Sequence, residues 1–251
     1  MSGHSHWATI KRKKGASDAK KGQIYTRMAR EIAMAARESG SDIDSNFKLR
    51  LAMEKAREQN MPKDSIDRAI KRGTGESKEG LVFEEVFYEG FAPHGVALMI
   101  ESVTENKNRT VAEIRHTLTR AGGNMGEAGS VGWQFTRAAY FAIPSNGNDF
   151  DKIFEIAVEG GADDVTQDED LIEIKGPVEA FKKLSDALHA AHIKPEEAAL
   201  RMLPNQEIEL DVDQTLQVLR TIEALEELDD VQNVYSNLRI TDEAMAAMES
   251  A

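Results

Sequence analysis

Cysteine is absent from all 251 residues. That one absence removes disulfides, thiolate nucleophiles and cysteine-ligated zinc or iron–sulfur centres together. No apolar run approaches the roughly 20 residues that span a bilayer. The first residues lack the apolar core of a signal peptide, so the expected setting is cytoplasmic, with no membrane partner. Catalytic signatures are missing too: there is no H-E-x-x-H, no G-x-S-x-G and no Walker or kinase set. The glycine-rich stretch 122–133, GGNMGEAGSVGW, is not closed by Gly-Lys-Ser/Thr. It reads as a helix C-cap followed by a tight return into a strand over 131–135. His189 and His192 are three apart on an expected helix, without a third ligand nearby, and read as surface histidines. The acidic turn 168–170 lacks the spaced ligands of a calcium loop. Glu84, Glu85 and Glu89 could supply acid/base carboxylates, and solvation on an edge strand explains them equally well. Acid/base chemistry would require Glu89, Glu101 and Asn106 to converge in a deep pocket. The expectation is therefore a protein that is not an enzyme, with no cofactor and no metal.

Charge is abundant and unevenly placed. Residues 1–30 carry eight basic side chains, Lys11, Arg12, Lys13, Lys14, Lys20, Lys21, Arg27 and Arg30, against one acid, Asp18. The whole chain has a formal net charge of −13. Residues 1–75 hold 17 Lys/Arg and 9 Asp/Glu, and residues 76–251 hold 14 and 35, which gives +8 and −21. A body that acidic repels polyanions at long range, so any phosphate-bearing partner must be held by the N-terminal third. The acidic remainder serves solubility and leaves a surface on which a protein partner could sit. Trp7, in the aperiodic segment 1–16, reads first as an anchor docked on the body and second as a base-stacking platform.

In chain order, Ser17 can cap a helix running to about residue 40, with Ile24, Met28, Ile32, Ala35 and Ala36 on one face. The polar turn 41–45, SDIDS, offers caps for a second helix over 46–59. A third spans 62–72, with Pro62 in its first turn and Gly73 just past its end. Thr74 to Gly80 reads as a linker. The period then changes to strands over 82–88 and 96–103, followed by a helix over 109–121. Residues 137–205 carry a strand (138–143), a helix (149–159), two strands (164–167 and 171–175), a helix (177–191) and a strand (198–203). That β-α-β-β-α-β order is the ferredoxin-like split motif. A short apolar strand at 208–210, a helix over 213–228, a strand over 231–235 and a frayed tail close the chain. The closing helix and strand have no sheet of their own, so they are expected to return to the sheet of residues 81–136.

The fold expectation is thus a multidomain α+β protein with three units. Residues 1–75 form a basic arm and a three-helix domain. Residues 81–136 plus 206–240 form an α+β middle domain, and residues 137–205 form a ferredoxin-like domain inserted in the middle one.

The chain also resembles the YebC/PmpR family. The likeness rests on Gly3-His4-Ser5-His6-Trp7, Ile10-Lys11, Lys21-Gly22, Tyr25-Thr26 and Arg30-Glu31-Ile32. It continues through Asn60-Met61-Pro62-Lys63, Arg68-Ala69-Ile70, Gly73-Thr74-Gly75, Tyr88-Glu89-Gly90 and Asn108-Arg109-Thr110. Gly122-Gly123-Asn124-Met125-Gly126, Gly129-Ser130-Val131 and Phe135 complete it. It departs at His6, where a lysine is usual, and at Glu105-Asn106-Lys107, where Asp-Asn-Arg is usual. The resemblance implies the same three-domain fold and a cytoplasmic, non-enzymatic regulator. Members are described as probable transcriptional regulators that bind DNA. Relatives, including the mitochondrial translational activator of cytochrome c oxidase, act on translation and associate with the ribosome. The expected function is nucleic-acid binding through Lys11, Arg12, Lys13, Lys14, Lys20, Lys21, Arg27 and Arg30. The target is DNA or, alternatively, ribosomal RNA, reached as a ribosome-associated translation factor.

Overall fold

The computed structural model describes residues 18–43, 45–76, 83–168 and 170–249. Three helices come first: α1 (Asp18–Ser39), α2 (Phe47–Glu58) and α3 (Lys63–Gly73). Their apolar faces meet in one cluster, with Met28, Ile32, Ala35 and Ala36 of α1 against Leu49, Ala52, Met53 and Ala56 of α2 and Ile66 and Ala69 of α3. The cap of α2 is Asn46, one residue beyond the SDIDS turn. Its Oδ1 accepts from the Leu49 N–H at 3.0 Å, and its Nδ2 donates to the Ala35 and Gly40 carbonyls at 2.8 and 2.7 Å. This buried amide ties the end of α1 to the start of α2, which a solvent-facing serine or aspartate would not do. Gly73 also differs from its expected role. It is the last helical residue, and a Cβ there would lie 2.2 Å from the Ala33 carbonyl oxygen. It is small because α3 crosses α1 at that point; the left-handed residue that ends the turn is Gly75, at φ +78°.

The middle unit is built on a four-stranded antiparallel sheet. Its strands are β1 (Glu84–Phe91), β2 (Ala97–Thr104), β3 (Asn124–Met125) and β9 (Val231–Ser236), in the order β3-β1-β2-β9. The chain does return to it: β9 pairs with β2 along Leu98↔Ser236 to Ser102↔Val231. Helices α4 (Lys107–Ala121) and α7 (Val212–Glu226) cover one face, burying Leu98, Ile100, Ile114, Leu118, Val218, Leu219, Ile222 and Leu225. The expected frayed tail is ordered. After β10 (Leu238–Arg239), which pairs in parallel with β8 (Ile208–Glu209), α8 (Asp242–Glu249) buries Ala244, Met245 and Met248 in the same core. The apolar residues of Asp242–Glu249 are all alanine or methionine, so its periodicity is faint although Ala244, Met245 and Met248 are buried.

The inserted unit runs β4 (Phe135–Pro144), α5 (Phe150–Gly160), β5 (Asp164–Gln167), β6 (Leu171–Pro177), α6 (Phe181–Ala190) and β7 (Glu197–Pro204). The sheet order β5-β6-β4-β7, antiparallel throughout, is that of the ferredoxin-like motif. The strand expected over 131–135 is a single 3-10 turn, Gly132–Gln134, and β4 starts at Phe135. The helix expected from 177 starts with another such turn, Val178–Ala180, before α6.

Candidate nucleic-acid interface

Of the eight basic residues picked out by charge, Lys11, Arg12, Lys13 and Lys14 lie outside the described residues. Lys20 and Lys21 fall within α1, whose first residue is Asp18. Arg27 and Arg30 both meet the middle unit, at the end of α7 and the acidic turn 226–230. Gln23, Arg27, Arg30 and Arg37 recur at helical spacing, so one stripe of α1 faces that unit. Gln23 Nε2 donates to the Glu227 carbonyl at 3.3 Å. Arg30 donates from Nη1 to the Asp229 carbonyl and pairs through Nη2 with Asp230 Oδ1 at 2.8 Å. Arg37 donates to the Phe83 carbonyl. The guanidinium carbons of Arg30 and Arg72 each lie 5.8 Å from the centre of the Phe83 ring. The carbonyls at the end of α7 carry the partial negative charge of a helix C-terminus, which suits cations from α1.

Asp230 is the hub of this contact. Its side chain is 1% exposed. It accepts from Thr110 Oγ1 at 2.7 Å, Thr104 Oγ1 at 3.0 Å and Arg109 Nη2 at 2.9 and 3.0 Å, besides the Arg30 pair. Burial alone would raise this carboxyl's pKa. The hydrogen bonds from Thr110, Arg109 and Thr104 and the charge of Arg30 outweigh it and hold the group below the usual carboxylate range. Arg27 is less well served. Burial works against its charge while Glu226 and Asp229 favour it, and its Nε is buried with no hydrogen-bond partner. An unmet buried donor costs about 1–3 kcal/mol.

Elsewhere on the helical unit, cations have their own acids: Lys48 pairs with Glu38 at 2.6 Å and Lys55 with Glu31 at 3.4 Å. These charges belong to a balanced helix surface, as the alternation along α2 implies.

The residues named for acid/base chemistry are occupied separately. Glu89 accepts the backbone N–H groups of Gly129, Val131 and Gly132 at 2.7, 2.6 and 2.8 Å, and so fixes the glycine-rich loop. Burial would raise its pKa, but those three donors outweigh it and lower it. Glu101 accepts from Asn233 and Tyr235 at 2.9 and 2.8 Å; burial raises its pKa against those bonds. Asn106 caps α4, accepting the Arg109 N–H at 3.1 Å. Glu89 lines an open cleft of about 350 Å³ with Arg115, Val111 and Met125, and neither Glu101 nor Asn106 contributes to it. His189 and His192 are both exposed. Among the described residues no three His, Asp or Glu side chains gather as a metal site, and no helix is long and apolar enough to cross a membrane.

Sequence reading missed Asp230 and its partners Thr104, Arg109 and Thr110, which come together only through pairing of β2 with β9. It also passed over Trp133. That ring is 73% exposed, yet its Nε1 donates to the Ser130 carbonyl at 3.1 Å.

Comparison with known proteins covers nearly the whole chain. Residues 5–76 match the family model described as the TACO1/YebC protein N-terminal domain, and residues 83–238 match the TACO1/YebC second and third domain. A "Probable transcriptional regulatory protein" of Acidithiobacillus ferrooxidans (strain ATCC 53993 / BNL-5-31) is 50% identical over 250 residues, covering 100% of this chain and 99% of its own. A protein of the same description from Geotalea uraniireducens (strain Rf4) is 46% identical over 248 residues, covering 99% and 100%. Among solved structures, the conserved hypothetical protein Aq1575 from Aquifex aeolicus superposes with a TM-score of 0.81. It has 38% identity, over 90% of this chain and 93% of that one.

Proposed function

Because the chain belongs to the TACO1/YebC family, we propose that it is a non-enzymatic regulator that binds DNA through its basic N-terminal arm, as a transcriptional regulatory protein. The observation that carries this reading is the charge asymmetry: eight cations and one acid in residues 1–30, ahead of a body with net charge −21. Lys11, Arg12, Lys13, Lys14, Lys20 and Lys21 supply the first contacts, and Arg27 and Arg30 extend them along α1 once they leave the turn 226–230 that holds them here. Each cation that meets a phosphate releases counterions, which gives affinity with little reading of base sequence. If about five contact a duplex, log K falls against log salt with a slope near −4 to −5. Measuring affinity for a mixed-sequence duplex across a salt series tests this directly, and a salt-independent affinity overturns it. Charge reversal at positions 11–14 should weaken binding broadly across sequences; a loss confined to one sequence would point to base readout instead.

A second reading is a translation factor that binds ribosomal RNA. It is favoured by the form of the basic segment, which is a glycine-bounded run without helical period and suits crevices in folded RNA better than a regular groove. Crosslinking the protein in cells and sequencing the attached nucleic acid separates the two. Promoter DNA supports the first and ribosomal RNA the second.

A further inference from the structure

We propose that the stripe of α1 bearing Gln23, Arg27 and Arg30 is a polyanion-binding surface, and that the acidic turn 226–230 occupies it in cis, as a competitor for nucleic-acid phosphates. The inference rests on the arm reading and adds its regulation.

Three observations carry it. First, the groups that cover the stripe are the chemical counterparts of a phosphate backbone. Glu226, Glu227, Asp229 and Asp230 surround it, and the Glu227 and Asp229 carbonyls accept from Gln23 and Arg30. Second, the fit is incomplete. Arg27 stands among Glu226, Asp229 and Glu227, yet its Nε is buried without an acceptor. A phosphate oxygen can supply that acceptor, with the fork geometry a guanidinium favours. Third, the apolar part of the contact is small: among the described residues its cluster holds Ala33, Phe83, Val103 and the half-buried Met34. Contacts between units that are polar and limited in apolar area permit relative motion. The helical unit can therefore exchange carboxylates for phosphates without giving up its own core, which lies among α1, α2 and α3.

In the closed arrangement Arg27 and Arg30 are not available to a polyanion. In the open arrangement both join the contact. Tight binding then requires the N-terminal unit to leave the acidic turn, so anything that holds the two together weakens binding and anything that neutralises the turn strengthens it.

The decisive test changes closure without changing charge. The chain has no cysteine, so Gln23→Cys/Glu227→Cys introduces the only two thiols. A short bismaleimide reagent then locks the stripe against the turn. Affinity for a mixed-sequence DNA duplex and for a single-stranded RNA of equal length is measured across a salt series, with and without the cross-link. The expected result is a loss of about tenfold on cross-linking, with a salt slope shallower by about 2, the contribution of two phosphate contacts. Equal affinity and equal slope overturn the proposal while leaving the arm reading standing. No binding to either probe by the wild type removes the arm reading itself, and this proposal with it. A second pair separates local competition from general repulsion. Glu226→Gln/Asp229→Asn should tighten binding at least about fivefold more than the remote pair Glu155→Gln/Glu159→Gln on α5, which removes the same charge. Equal tightening by the two pairs counts against a cis competitor.

Discussion

Two contacts between the helical unit and the rest of the chain differ in kind. Arg30 meets Asp230 at 2.8 Å, with the carboxylate 1% exposed and shared with Thr104, Arg109 and Thr110. Lys194 meets Glu58 at 2.6 Å, bridging the inserted unit to α2, with side chains 79% and 50% exposed. The shorter distance belongs to the weaker contact. Water screens the exposed pair and side-chain entropy offsets its gain. The Asp230 hub is screened from water, and each partner there is expensive to lose because the others are left uncompensated. Ion-pair length therefore says little about what holds the units together; burial and the number of satisfied lone pairs decide it.

Substitution should separate the two contacts in order of size. Asp230→Ala removes the acceptor from two arginines and two threonines at once. It should lower unfolding stability by about 3–5 kcal/mol in urea denaturation. Arg30→Gln leaves Asp230 with Arg109 and both threonines, so a smaller loss of about 2 kcal/mol is expected. Arg27→Gln should cost about 1 kcal/mol or less, because the substitution also removes the unmet Nε donor. Lys194→Ala should leave the urea midpoint unchanged within error. If Lys194→Ala matched Arg30→Gln, the ranking by burial would be wrong.

The same hub sets a pH dependence. The folded-state pKa of Asp230 is depressed, so its contribution is fully present above the unfolded value of about 3.9. It is lost as pH falls through the lower folded value. Stability measured from pH 7 down into the acid range should therefore decline more steeply in the wild type than in Asp230→Asn, which has no carboxylate to protonate. Parallel acid limbs for the two proteins would place the loss elsewhere.

Much of this fold is legible in the sequence because its signals are local. The period-3.6 stripe through Met28, Ile32 and Ala36 marks α1, and the alternation of apolar strands with helices between residues 137 and 205 spells the ferredoxin-like order. Other features are not local. The α8 segment has alanines and methionines where a stronger pattern would carry leucines, and only its docking on α7 makes it a helix. Gly73 has the position of a terminator but is required by the Ala33 carbonyl facing it. The hub joins residues 30, 104, 109, 110 and 230, which no window of the chain contains. Within the run Glu226-Glu227-Leu228-Asp229-Asp230, nothing in the sequence distinguishes the one fully buried carboxylate from its neighbours. Likewise, Arg27 and Arg30 look like any other positive residues near the start, and only the packing of α1 against the turn 226–230 sets carboxylates opposite them.

The inserted unit leaves the middle one at Phe135 and rejoins it at Pro204, and these two residues are direct partners across β4 and β7. Seen from the middle sheet, everything between them is a loop whose ends are already closed. Lengthening or replacing a loop of that kind costs little in chain entropy, since the closure term grows only with the logarithm of length. The ferredoxin-like unit thus enters and leaves its host through one pair of adjacent strand ends. A tight turn spliced between Phe135 and Pro204 should leave a middle unit able to fold, and the excised piece, bringing its own sheet and its own core of Phe141, Ile153, Ile174 and Leu184, should fold without its host.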